Sequence, residues 1–250
     1  MINLIKINTQ EWIRLKFLQV VFFLSLAYVC ISYLLGSLSF TEQMRIKYDL
    51  GLAGIELASL FVSAFMGTHA LYRDIERKTF QVILARPISR WHLLVGYLGS
   101  LFTLNIILIF ALGVTMAAFF EYDQSIFNLV ISLMTIAFKA LVIGSVGMML
   151  SVLARPMFSL VLTLTFWILA YSVPDILYFI EKMSHENSYF FSVLFDYTVP
   201  RFYLFNWKSF LFLKSSVETN DIIWAWSHCL GWSFLFFAAA SFFIRRKDIV

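Results

Sequence analysis

The chain has 250 residues, of which 61% are hydrophobic, 18% aromatic and only 14% charged, with a mean hydropathy of +0.83. Soluble domains carry close to a quarter charged residues, so this balance excludes water as the main solvent. The net charge of +4 is segregated by loop, which argues for membrane topology and against a nucleic-acid partner.

At about 20 residues per crossing of a ~30 Å hydrocarbon core, the chain has room for about six spans and little else. Its apolar runs extend from Phe17 to Phe40, Leu50 to Tyr72, Trp91 to Phe120, Ile126 to Leu153, Phe158 to Ile180 and Ile222 to Ile244. Backbone groups cannot stay unpaired in lipid, so each run is predicted to be helical; run length and weak period-two alternation argue against a β-barrel. The predicted fold is all-α and polytopic, one transmembrane domain over residues 1–250. Met1 to Lys16 mixes Glu11 with Lys6, Arg14 and Lys16, and no small-residue cleavage site follows the first run. That run is therefore expected to be a retained span and not a signal peptide. Cys30 and Cys229 fall inside apolar runs and are expected to be small buried hydrophobes, not a disulfide.

Charge orients the spans. The N-terminal segment is +2, the Arg73 to Arg90 connection +3, the turn at Arg155 +1 and the tail from Arg245 to Asp248 +2. The connection with Glu42, Arg45, Lys47 and Asp49 is neutral, while the Glu121/Asp123 loop and the Asp175 to Asp221 region are each −2. Positive and non-positive connections alternate strictly, so the positive-inside rule predicts both termini in the cytoplasm.

Three segments lie outside the spans. Residues 1–16 combine Leu4, Ile5, Trp12, Ile13 and Leu15 with basic residues; they suit either a cytoplasmic interfacial helix or a basic flank that only sets topology. In the 73–90 connection, Ile75, Phe80, Val82, Ile83 and Leu84 fall on one broad side and Asp74, Arg77, Lys78 and Gln81 on the other. That is an amphipathic helix by spacing, stopped at Pro87, with Ser89 placed to cap the next helix. The outer connection, residues 181–221, is rich in Phe, Tyr and Trp and reads as interfacial or re-entrant helices, since aromatic rings favour the headgroup level.

Two ionisable residues stand inside spans, Glu56 in the second and Lys139 in the fourth. A charge at the bilayer centre costs roughly 2.5 to 3.5 kcal/mol on insertion scales, so both are expected to face protein or water. Their depths differ by ~10 Å, which a lysine side chain partly covers. The favoured reading is a structural ion pair; the alternative is a place on a translocation path. His69, His92 and His228 have no metal-ligand spacing and His185 falls in the outer connection, so no metal site is expected. Asn105 and the many Ser and Thr residues in the spans read as helix-packing or backbone-bonded groups.

The stretch ERKTFQVILARPISR, Glu76 to Arg90, followed by WHLLVGYLGS, Trp91 to Ser100, resembles the signature region of ABC type-2 permeases, and most of all the six-span bacterial subfamily that includes the nitrous-oxide-reductase maturation permease. Glu76, Lys78, Thr79, Arg86, Pro87, Ser89, Arg90 and Gly96 match the pattern, and Tyr97 stands where Lys is common. The ending FFIRRKDI, Phe242 to Ile249, is also similar. The resemblance implies a type V exporter-like permease, a homodimer or heterodimer whose copies each dock on a cytoplasmic ABC ATPase. The dock is the coupling helix between spans two and three. The chain has no G-x-x-x-x-G-K-[ST] phosphate loop, so it is expected to be no enzyme and to hold no cofactor, with ATP and Mg on the partner. A rigid amphipathic helix can pass on the closure of that partner. The expected contacts are Arg73, Asp74, Glu76, Arg77, Lys78, Thr79, Phe80, Ile83 and Arg86, with Arg86 and Arg90 nearer the lipid phosphates. The expected location is the bacterial inner membrane, with membrane lipids and a periplasmic accessory protein as further partners.

Two other classes compete. One is a membrane-embedded lipid-modifying enzyme, which needs a cluster of Asp, Glu, His or Cys at one membrane face that the sequence does not offer. The other is a non-transporting anchor or mechanotransmission subunit of an ABC complex. The aromatic outer region and scarce intramembrane charge favour a hydrophobic, lipid-like or peptide cargo over a small ion.

Overall fold

A computed structural model describes residues 2–38, 43–76, 90–119, 126–183, 193, 198–207 and 218–246. Among these, every regular element is helical. A short helix, α1 (Ile2–Ile13), turns at Arg14 and Leu15 into α2 (Lys16–Leu38). Then come α3 (Gln43–Glu76), α4 (Arg90–Phe119), α5 (Ile126–Leu153), α6 (Pro156–Met183) and α7 (Thr219–Arg246), with a 3₁₀ turn at Phe202–Phe205 between the last two. The helices α2 to α7 are each long and apolar enough to cross a membrane, as the length of the apolar runs predicts.

Helix ends depart from the expected ones where polar residues extend a helix beyond its apolar run. α3 begins at Gln43 and runs for 34 residues, about 51 Å at 1.5 Å per residue and so well beyond a ~30 Å core. Arg45, Lys47 and Asp49, expected in a connection, form its first turns, where Arg45 lies 3.8 Å from Asp49 as an i,i+4 pair. At its other end Arg73 to Glu76 continue the same helix, with no break to start a separate one. α6 runs from Pro156 to Met183, beyond its apolar run at both ends, with Pro174 inside it. The α5–α6 turn is tight: Pro156 opens α6 with a fixed φ suited to a first helical turn, and the Ser159 hydroxyl donates back at 2.9 Å to the Leu150 carbonyl, which also accepts from the Ala154 N–H.

α5 is the hub. It packs most extensively against α3 and α7 and also meets α4 and α6. The approach to α3 is glycine on glycine: a Cβ on Gly67 would stand 2.6 Å from the Gly144 carbonyl oxygen. Helices in lipid gain little from hydrophobic drive and associate through such close van der Waals contact. Around α3 and α5 lie two buried clusters. One is shared with α1, α2 and α4 (Trp12, Leu52, Leu94, Leu104, Leu133); the other is shared with α6, α7 and residues 198–207 (Ile143, Ala170, Phe202, Cys229). Cys229 is buried as expected, but Cys30 is exposed on α2.

Hydroxyls in the spans turn back on their own helices. Thr68, Ser100, Thr135, Thr163 and Ser233 each donate to the carbonyl four residues earlier, a local bond that needs no partner helix. Asn105 instead bridges helices: its amide nitrogen donates to Ser63 at 2.8 Å, and its oxygen accepts from Ser59 at 3.2 Å. We expect Gly67→Leu to overpack the α3–α5 crossing and cost about 1–3 kcal/mol, read as earlier thermal loss of the monodisperse detergent-solubilised peak. Gly231→Ala, where a Cβ meets nothing within 4 Å, should not lower that temperature, since Ala is the better helix former.

Candidate functional site

The crossing of α3 and α5 brings the two buried charges together. Lys139 and Glu56 are 2% and 5% exposed, and Lys139 Nζ donates to Glu56 Oε1 at 2.8 Å. A third member comes from α6: the Tyr171 hydroxyl accepts from Lys139 Nζ at 3.1 Å and donates to the same Glu56 oxygen. Three helices are thus closed into one hydrogen-bonded ring. Residues 198–207, which belong to the aromatic region between the last two spans, cover it. Phe202 is buried against Tyr171 with ring centroids 5.9 Å apart, and Phe205, Asn206 and Trp207 close over Glu56 and Lys139 across a space of about 10 Å³. That is at most the room of one water. Burying two charges here costs several kcal/mol each, and the arrangement is tolerable because each charge is given close partners.

A second cluster gathers at the end of the molecule where α3 finishes and α4 begins. α1 turns Ile5, Asn8, Thr9 and Trp12 inward and Lys6, Gln10 and Glu11 outward, the spacing of one helical face. Trp12 stacks on Tyr97 of α4 at 6.4 Å, and the Ser100 hydroxyl reaches the Ile5 carbonyl at 3.4 Å. The Tyr97 hydroxyl donates to Asp74 at the end of α3. Arg73 sits between two acids, 3.1 Å from Glu11 and 3.6 Å from Asp74. Beside them a concavity of about 310 Å³ is lined by Trp12, Phe65, His69, Arg73, Glu76 and Pro156. Of the expected ATPase contacts, Arg73, Asp74 and Glu76 therefore stand on the last turn of α3. Arg77, Lys78, Thr79, Phe80, Ile83 and Arg86 lie outside the described residues.

Sequence reasoning did not find Tyr171, and it left Tyr97 only as a departure from a common Lys. A hydroxyl on a ring inside a span is the available signal, because a buried Tyr needs a hydrogen-bond partner; which partner is decided by helix packing. Glu11 was read for charge alone, and its ion pair with Arg73 joins residues far apart in the chain. Among the described residues no group of three His, Cys, Asp or Glu side chains is placed to hold a metal. His228 accepts from the Arg201 backbone N–H at 3.4 Å and stacks on Trp224 at 5.2 Å. Lys139→Met would leave Glu56 buried without its cation, and we expect a loss of about 3–5 kcal/mol in thermal unfolding of the solubilised protein. Lys139→Met combined with Glu56→Leu should recover most of it.

A family model described as ABC-2 family transporter protein matches residues 2–207. The matched stretch takes in α1, the spans α2 to α6 and the 3₁₀ turn, and with them every residue of the two clusters except the surroundings contributed by α7. No curated protein matches the chain. This multi-pass chain therefore belongs to the ABC-2 transporter family, as a membrane-spanning permease component that works with an ABC ATPase subunit.

Proposed function

We propose that the chain is the permease of an ATP-driven exporter in a bacterial cytoplasmic membrane, with both termini in the cytoplasm and two copies forming the pathway. An ATPase that binds ATP and Mg docks beneath each copy through residues 73–90. The six-span count and the Arg86–Pro87–Ile88–Ser89–Arg90 element favour the subfamily resembling the nitrous-oxide-reductase maturation permease. The cargo is lipid-like, in keeping with the aromatic region between the last two spans and with intramembrane charges that are paired. A periplasmic accessory protein would meet that same region, residues 181–221.

One observation carries the reading. The segment 77–89 is bracketed by the end of α3 and the start of α4, and those two helices are joined to each other and to α1 through Glu11, Arg73, Asp74, Tyr97 and Trp12. Force arriving at the ends of α3 and α4 would reach α1, α3 and α4 together. Basic residues concentrate at the same end, as positive-inside topology requires.

Affinity purification of the full chain should bring down a cytoplasmic ATPase in stoichiometric amount, and Arg77→Glu with Lys78→Glu should abolish it while the permease stays monodisperse. A permease that purifies stably alone would overturn the docking. In the reconstituted complex, Arg73→Ala should lower cargo-stimulated ATP hydrolysis by about two- to thirtyfold, the range for a coupling change of ~0.5–2 kcal/mol. Because the Glu11–Arg73 pair is partly exposed, its thermal stability should move by less than ~1 kcal/mol. ATP-driven accumulation of a labelled lipid outside proteoliposomes would establish direction; ATP hydrolysis with no movement of cargo would point instead to a mechanical subunit.

A further inference from the structure

We propose that the Lys139–Glu56–Tyr171 ring is a half-way station for the polar head of a neutral or zwitterionic amphiphile, which reaches it sideways from the bilayer between α3 and α6. The inference deepens the lipid-like cargo reading and rests on it for its place in transport.

The ring is closed toward the aromatic cover by Phe202, Phe205 and Trp207, but it has another side. A crevice of about 280 Å³ runs between α3 and α6, lined by Glu56, Leu57, Trp167, Ile168, Tyr171 and Ser172. Leu57 and Ile168 at its rim are 58% and 61% exposed, so it opens on the outer face of the helix bundle. Glu56, Tyr171 and Ser172 are the polar residues of its lining, among otherwise apolar or aromatic ones. All three ring members stand near the midpoints of their spans. A headgroup at that depth has no water to bond to, and unsatisfied polar groups there are expensive. The ring offers a donor and an acceptor where the hydrocarbon offers neither.

Charge selects the head. The ammonium and the carboxylate cancel, so the station complements a neutral or zwitterionic head and does not compensate a strongly charged one. Trp167 and Tyr171 add aromatic surface that suits an ammonium-bearing head. The geometry also allows widening. α6 is the least buried of the six spans, and Pro174 stands within it one turn beyond Tyr171. That proline removes the N–H that would bond to the Ala170 carbonyl, which weakens the helix at Tyr171 and lets its far half swing away from α3. The Tyr171 hydroxyl then turns from Glu56 to the incoming head, while Glu56 keeps Lys139.

The test uses the full chain with its ATPase in nanodiscs containing a photoactivatable phosphatidylcholine, and maps the adducts by mass spectrometry. Adducts should concentrate on residues 53–60 and 167–172 over the equally exposed α7 face around Phe234. A probe with the same acyl chains but no polar head should show no such enrichment. Tyr171→Phe should lower the enrichment about tenfold, the worth of one hydrogen bond to a charged group. Even adduct density over all lipid-facing helices, equal labelling by the headless probe, or cross-links to a second permease copy in place of lipid would each overturn the station. The labelling needs no turnover, so adducts without ATP-driven lipid export would uphold the site and refute the cargo reading. Export without crevice adducts would do the reverse.

Discussion

Inside hydrocarbon there is no water to take up a hydrogen bond, and this constraint shapes the protein at each level. It makes every described span a helix, because only a helix satisfies its own backbone. It turns the hydroxyls of Thr68, Ser100 and Ser233 back on their own carbonyls. It sets Asn105 between Ser59 and Ser63, and it forces Lys139 to find Glu56 and Tyr171. The ion pair is thus one instance of a general rule, set apart because a pair of well-packed apolar residues would satisfy the same space at no greater cost in stability. Its presence is better understood as a polar place kept in the middle of an apolar protein.

Packing divides the molecule into a firm part and a looser one. α3 and α5 are locked by the contact of Gly67 with Gly144, and α7 lies along α5 with wide burial. α6 is different: it is short of neighbours, is the least buried of the spans and carries Pro174 in its interior. The polar ring crosses this boundary, with two members on the firm part and Tyr171 on the looser one. A change in the position of α6 therefore cannot occur without a change in the ring's hydrogen bonds.

The end where α3 finishes ties the N-terminal helix to the spans. A helix of 34 residues is longer than a ~30 Å core needs and carries Arg73 and Asp74 in its last turn. There they meet Glu11 and Tyr97, so that the N-terminal helix, which a sequence reading can leave as a mere basic flank, becomes a packed strut against α4. The stack of Trp12 on Tyr97 gives that strut an apolar anchor, which is less sensitive to salt than the ion pairs around it.

The amino-acid sequence by itself determined the class of the protein: the number of spans, their helical state and the alternation of charged ends follow from the length of the apolar runs and the placement of Lys and Arg, which are local properties. It also marked Glu56 and Lys139, because a charge inside an apolar run is visible wherever it falls. Helix ends were less legible, as at Arg45 to Asp49 and at Glu181 to Met183, since polar residues continue a helix or end it according to what surrounds them. Only the tertiary structure decided that Tyr171 completes the ion pair, that Phe202 and Trp207 cover it, and that Glu11 meets Arg73. Those contacts join positions far apart in the chain, and they depend on the angle and depth at which helices cross, which is set by small residues such as Gly67 and Gly144 and is not written in the periodicity of any one segment.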